Sequence, residues 1–397
     1  MTNIEVLTEI CSDHQYALAR TLMRIERMQA ASNSTLARHL LDLRNDVISA
    51  VNQTQNDDET IKKLRAAQQL ATSDLPRETI LTSLRYSEIE NRQSNILSST
   101  HSAYDWLFEE TNSGRTIQYM QWLRRGDGIF WLTGKAGSGK STLMKQIYND
   151  KRTMSALDSW AKGRRLLRAS HYFWYLGSPK EKSYKGLVMS ILYKILHACP
   201  ELVEPVCQQR WSDEQRGLDT TSAAWEDDEL RRCLDRLVSS NLRSDGKDIC
   251  FCFFIDGLDE YDGDYEVVDT LVRLARSGHT KICASSRPWN KFETAFSDSK
   301  SAGNYLELHH HTRGDISRFV IEELRGTLSR LPRVDEDWMP LIQEVIDRSE
   351  GVFLWVALVI KKELRPMLEA RDDVAFVRER LNAVPSGMLC TKCPQLV

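Results

Sequence analysis

The sequence lacks a charge excess of either sign. Its formal net charge is −3 over 397 residues, so it carries no basic footprint for nucleic acid, and no nucleic-acid partner is expected. The one basic cluster, KGRRLLR (162–168), reads as a solvated lead-in to a strand. Long apolar runs are also missing. The most apolar stretch, GVFLWVALVI (351–360), is bounded by Glu350, Lys361 and Lys362. It falls well short of the roughly 20 residues a bilayer span needs. The N-terminus MTNIEVLTEICSD carries acids early and has no basic segment followed by an apolar one, so no signal peptide is expected and the location predicted is cytoplasmic. The nine cysteines are scattered and odd in number, and Cys250, Cys252 and Cys283 sit in apolar runs where reduced thiols pack as small hydrophobes. Cys390 and Cys393 form a single CxxC with no second ligand pair, which argues against a zinc site and for an exposed tail. No internal repeat and no low-complexity tract is present.

Proline and glycine are absent before Pro76, and with the apolar spacing this predicts helix throughout residues 1 to about 100. Leu36, Leu40, Leu43 and Val47 keep a three-four rhythm for only about two heptads, so a bundle or partner-binding face is expected rather than a coiled coil. The segment 88–110 is predicted as a further helix. From Gly126 the texture changes to short apolar strands alternating with helices. Strands are expected at GIFWLTG, LLRASHYFWYLG (166–177), DICFCFFID (248–256), TKICASS (280–286) and NYLELHH (304–310). Hydrophobic residues at 41% and charged residues at 27% suit such a soluble α/β fold, a mostly parallel sheet sandwiched by helices. After about residue 312 the pattern is helical again. The organisation expected is a helical N-terminal region (1–99), a core (100–311), a helical subdomain (312–387) and a tail (388–397).

GKAGSGKS (134–141) fits G-x-x-x-x-G-K-[ST], with a strand before it and a helix after it. Gly134, Gly137 and Gly139 let the backbone fold around an anion and turn its N–H groups inward, and the following helix N-terminus adds positive potential. Lys140 supplies a point charge to terminal phosphates, and the Ser141 hydroxyl is placed to ligate Mg²⁺. A second apolar run ends in FCFFIDGLDEYDGD (251–264). Asp256 is the expected Mg²⁺ carboxylate, Gly257 keeps space beside the phosphate open, and Asp259 or Glu260 could polarise a water. Asp262 and Asp264 read as acids favoured ahead of a helix. Arg287, at the tip of KICASSRPW (281–289), lies where ligands of such sheets bind and is a candidate γ-phosphate sensor, or else an arginine paired to a surface acid. Asn290-Lys291-Phe292-Glu293 resembles a guanine reader but ends in Glu beyond Pro288, and is taken as a chance match. His309, His310 and His311 are predicted at a polar strand end, where successive side chains point to opposite faces and cannot share one ion.

Together WLTGKAGSGKSTLMK, FFIDGLDEY and CASSRPW resemble the NACHT module of STAND-class P-loop NTPases in its fungal form, the nephrocystin-like N-terminal domain being an equivalent label. ILTSLRYSEIENRQSNILSSTHSAYDWLFEE upstream, HYFWYLGSPKEKSYKGLVMSILYKIL between the two motif strands, and DISRFVIEEL with GVFLWVALVIKKEL downstream support the resemblance, which runs from about residue 78 to about 385. It implies a P-loop NTPase core and a nucleotide-gated switch that exchanges ADP for ATP, oligomerises and recruits an effector. Fungal relatives act in heterokaryon incompatibility and programmed cell death. By position it makes Gly134, Lys135, Ala136, Gly137, Ser138, Gly139, Lys140, Ser141 and Thr142 the phosphate loop, Ser141 and Asp256 the metal ligands, and Asp259, Glu260 and Arg287 the catalytic and sensing residues. Family members usually continue into a winged-helix domain and a repeat array. Here MLCTKCPQLV follows instead, so the chain is expected to be either truncated or a minimal form working with partners. The function expected is a slow Mg²⁺-dependent NTPase switch using ATP, with GTP as an alternative and with partner proteins on the N-terminal helices. The competing reading is a nucleotide-stabilised scaffold without turnover.

Overall fold

The computed structural model describes residues 74–97, 103–109, 118–216, 218, 220, 223–239, 242–328, 334–370 and 374–386. The helical reading of residues 1–73 and the reading of the CxxC tail lie outside these residues. The chain divides into two compact units, one holding residues up to Arg85 with Cys199–Glu226, the other Tyr86–Ala198 with the remainder from Asp227.

In the smaller unit, the helix Leu75–Leu84 starts with Pro76 in its first turn, where a missing N–H costs nothing, and buries Leu75, Ile80, Leu81 and Leu84. The helices Val203–Val206 and Gln208–Gln215 follow. The Arg210 guanidinium lies 3.7 Å from the centre of the Trp225 ring and donates to the carbonyls of Thr220, Ala223 and Ala224 at 3.0, 3.2 and 3.0 Å.

The larger unit is built on a mostly parallel sheet. Its strands are β1 (Gly128–Thr133), β2 (Arg165–Tyr172), β3 (Arg243–Ser244), β4 (Lys247–Asp256), β5 (Thr280–Ser286) and β6 (Tyr305–Glu307). The spatial order is β2-β4-β5-β1-β6, all parallel, with the short β3 paired antiparallel to the start of β4. β4 and β5 are interior strands buried on both faces, which is why they read as unbroken apolar runs rather than alternating ones. The helices Tyr119–Arg125, Lys140–Asn149 and Lys151–Ala161 pack their apolar sides into one core cluster with β1, β4 and Leu306. A second core lies within the helical region, from Ile316 to Leu381, around Trp338, Trp355 and Val356.

Several sequence expectations differ from the fold, and the strand expected over 166–177 ends at Tyr172. Residues 88–110 do not form one helix: the helix Asn91–Asn95 stops short, and a 3₁₀ turn covers Asp105–Phe108 after Tyr104, which adopts φ 65°. The segment is held by long-range bonds instead, the Trp106 indole N–H donating to the Asp315 carboxylate at 2.8 Å. The helix Lys151–Ala161 was not anticipated, although Asp150 caps it by accepting from the Arg152 N–H at 2.7 Å. The last strand ends at Glu307, and Leu308–His310 form a 3₁₀ turn.

Candidate functional site

Because the sheet is parallel, the loops after its strands gather at one edge. Register places Thr133 beside Ser286, and Asp256 beside Tyr172, so the phosphate loop, the acidic turn and the Arg287 turn leave the sheet together. They border a cavity of about 480 Å³. Ala136, Gly137, Gly139, Lys140, Ser141, Thr142, Asp256, Gly257, Asp259, Glu260 and Arg287 all line it. Gly134, Lys135 and Ser138 sit in the same loop without lining the cavity.

The loop's shape follows from its glycines. Gly139 adopts φ 95°, a left-handed conformation costly for any residue with a Cβ. Space is short as well: a Cβ there would lie 2.6 Å from the Tyr104 hydroxyl. The Lys140 ammonium donates to the carbonyls of Gly134 at 2.8 Å and Lys135 at 3.0 Å. Burial holds it below the ordinary lysine range, against the opposing pull of Asp259 and Asp256. The Ser138 hydroxyl is buried without a hydrogen-bond partner.

Asp256 is buried at the end of β4, and burial raises its carboxyl above the usual carboxylate range. Hydrogen bonds from Ser141 and Ser285 act against that shift, the Ser285 hydroxyl at 2.5 Å. Ser285 in turn accepts from the Gly257 N–H at 2.9 Å, so one hydroxyl on β5 fixes both the carboxylate and the turn after it. Gly257 has φ 74°, and an added Cβ would press against the Phe173 carbonyl at 3.3 Å. Its small size therefore serves the turn itself as well as the cavity wall.

Asp259 and Arg287 are partners. The Arg287 backbone N–H and Nε each approach the Asp259 carboxylate at 2.9 Å, and that carboxylate is 5% exposed. Glu260 is separate from this pair. It accepts from the Tyr175 N–H at 3.0 Å, and burial raises its pKa. Asp262 and Asp264 are exposed, in the turn ahead of the helix Glu266–Ala275. A buried carboxylate next to a serine hydroxyl is an oxygen donor set that fits a hard divalent cation, and Ser141 with Asp256 could hold Mg²⁺. The chemistry such an ion supplies is neutralisation of phosphoryl charge.

The rest of the cavity wall was not visible in the motifs. It includes Ile96, Leu97, Tyr104, Phe319 and Phe353. These give an apolar and aromatic side on which a planar base could rest. The helix after the loop grips that segment: Lys145 donates to the Ile96 carbonyl at 2.6 Å and Gln146 to the Ala103 carbonyl at 2.7 Å. The helical region also touches the phosphate loop directly. The Leu354 N–H donates to the Gly137 carbonyl at 3.1 Å, and Lys135 pairs with Glu350 at 2.7 Å.

The histidine triplet differs from expectation because its backbone turns. The His309 and His310 rings stand 4.1 Å apart, and His310 lies 3.0 Å from Glu307. Glu307, His309 and His310 thus bring one donor atom each within 4.8 Å of the others, which a strand would have prevented. His311 is apart, stacked on Trp106 at 5.2 Å. Among the described residues, no helix is long and apolar enough to cross a membrane.

No curated protein matches the chain. One solved structure similar to it is that of Drosophila ORC bound to DNA, at 15% identity and a TM-score of 0.35. The match covers 66% of this chain and 64% of that one, so it spans less than two thirds of either. Residues 102–287, which include the phosphate loop, the acidic turn and Arg287, match the family described as Nephrocystin 3, N-terminal.

Proposed function

We propose that the chain is a nucleotide-gated switch. ATP or ADP with Mg²⁺ occupies the cavity, hydrolysis is slow, and the state of the nucleotide is passed to the helices beyond residue 312. The observation that carries this reading is the bonding of the phosphate loop to the helical region, Gly137 to Leu354 and Lys135 to Glu350. A loop that moves to wrap a phosphate would pull on the start of the helix Phe353–Val359. In this reading Gly134 to Thr142 hold the phosphates, Lys140 the terminal ones, and Ser141 and Asp256 the metal. Glu260 is the carboxylate left to orient water, since Asp259 is paired with Arg287. Following the NACHT resemblance, partner proteins would engage the N-terminal helices, the active form would be a homo-oligomer, and the role would lie in fungal self/non-self recognition or programmed cell death.

The scaffold reading is favoured by one observation. Both carboxylates that could act on water already accept hydrogen bonds, Asp259 from Arg287 and Glu260 from Tyr175. Either way the cavity must take a nucleotide through Lys140. Labelled ATP and GTP titrated against wild type and Lys140→Ala test this. Saturable, Mg²⁺-dependent ATP binding is expected for wild type and a loss of at least about tenfold for the variant, the scale of a charge-assisted contact. Equal binding by the two proteins would remove the loop from the proposal.

A further inference from the structure

Four cationic side chains line the cavity: Arg92, Lys140, Arg287 and Arg318. Three of them already have acceptors. Lys140 donates to two loop carbonyls, Arg287 pairs with Asp259, and Arg318 pairs with Asp315. Arg92 is different. Its Nε is buried with no hydrogen-bond partner among the described residues, and its guanidinium lies 5.5 Å from the centre of the Trp174 ring. A buried donor without an acceptor is costly and uncommon, and the same guanidinium borders the cavity, where a ligand would supply acceptors for its outer N–H groups.

The position of that donor is informative. The positive charge of Arg92 reaches both Asp256 and Glu260, drawing each carboxyl down against the burial that raises it. Arg92 lines the cavity together with Asp256 and Glu260, and the ring it rests on, Trp174, directly precedes the residue whose N–H holds Glu260, which sets it on the Glu260 side. The loop after β2 supports the arrangement at two points: Trp174 holds the guanidinium, and the Tyr175 N–H holds Glu260. A planar fork of N–H donors, fixed by an aromatic face, matches the oxygens of a phosphoryl group.

We propose that Arg92 is the residue that distinguishes a nucleoside triphosphate from a diphosphate, by donating to the terminal phosphoryl oxygens. Arg287 is then a positioning residue that holds Asp259. This inference rests on the nucleotide reading of the cavity. It reassigns the sensing role, expected at Arg287 from its place at a strand tip, to an arginine in the short helix Asn91–Asn95, ahead of the phosphate loop.

The test compares ATP and ADP affinities of the full chain, by calorimetry with Mg²⁺, for wild type, Arg92→Gln, Arg92→Lys, Arg287→Gln and Lys140→Ala. Arg92→Gln should weaken ATP at least about tenfold and leave ADP nearly unchanged, since only the triphosphate presents the contacted oxygens. Its unfolding midpoint without nucleotide should stay at the wild-type value. Arg92→Lys keeps the charge but loses the fork, and should fall between; if Arg92→Gln does not fold, this variant decides by the same ratio. Arg287→Gln should change the ATP-to-ADP ratio less than Arg92→Gln does. Equal weakening of ATP and ADP by Arg92→Gln, or a ratio that stays at wild type, overturns the inference. If wild type binds neither nucleotide, the underlying reading falls with it. If wild type binds, Lys140→Ala does not, and Arg92→Gln keeps the wild-type ratio, then this inference alone falls.

Discussion

Substituting Gly139 with alanine separates two physical demands on the phosphate loop. The first is conformational, because φ is 95° there, and an L-residue in such a region costs about 1–2 kcal/mol. The second is steric, because the new methyl group would lie 2.6 Å from the Tyr104 hydroxyl. Tyr104 is itself 2% exposed and cannot swing into solvent. Overpacking of this kind adds about 1–3 kcal/mol, for a total near 3 kcal/mol. Gly278 is the control: its φ is 73° with nothing within 4 Å of an added Cβ, so Gly278→Ala reports the conformational share alone. Tyr104→Phe removes the clashing oxygen. Denaturant unfolding of Gly139→Ala, Gly278→Ala, Tyr104→Phe and the Gly139→Ala/Tyr104→Phe double variant therefore gives a cycle. We expect Gly139→Ala to cost more than Gly278→Ala by the steric share, and the double variant to recover that share only. If Gly139→Ala costs no more than Gly278→Ala, or Tyr104→Phe recovers nothing, then Tyr104 does not close over the loop as described.

Two other perturbations probe the sheet and the chemistry. Lys281 is 0% exposed at the start of β5, yet its ammonium donates to the carbonyls of Trp122 and Leu123, the latter at 2.5 Å, and burial lowers its pKa from 10.5 to about 8. The folded-state value lies below the unfolded one, so the penalty is complete below pH 8 and stability rises as pH climbs from 8 to 10.5. The rise is about 3 kcal/mol for a shift of that size. Unfolding curves of wild type and Lys281→Met should therefore converge or cross by that amount over this window, whereas a constant offset would contradict a buried titrating lysine. For hydrolysis, Glu260→Gln should reduce slow Mg²⁺-dependent ATP turnover by about a hundredfold, as loss of a general base does. Trace rates that are equal in wild type, Asp259→Asn and Glu260→Gln would leave the scaffold reading in its place.

Much of the site was legible because its signals are local. The phosphate loop carries its strand, turn and helix within one short stretch, and Asp256 is marked by the apolar run of an interior strand that stops at it. Arg287 pairs with a buried carboxylate, Asp259, rather than with a surface acid, because the turns after the neighbouring strands β4 and β5 bring the two together. What escaped depends on partners distant in sequence. Helical spacing across 88–110 said nothing of Asp315, which draws Trp106 into a different path. Arg92 carries no local signal in the sequence, because Trp174, the ring beside it, belongs to the loop after β2. The histidine triplet was judged on strand geometry, and the chain turns into a 3₁₀ segment one residue before His309.

A nucleotide-gated switch requires nucleotide to enter the cavity at Lys140. ATP titrated into wild type and Lys140→Ala, each with and without Mg²⁺, measures this. Saturable binding by wild type is expected, weakening when Mg²⁺ is withdrawn and falling by at least about tenfold in Lys140→Ala. Binding that is the same in both proteins and indifferent to Mg²⁺ would contradict the switch.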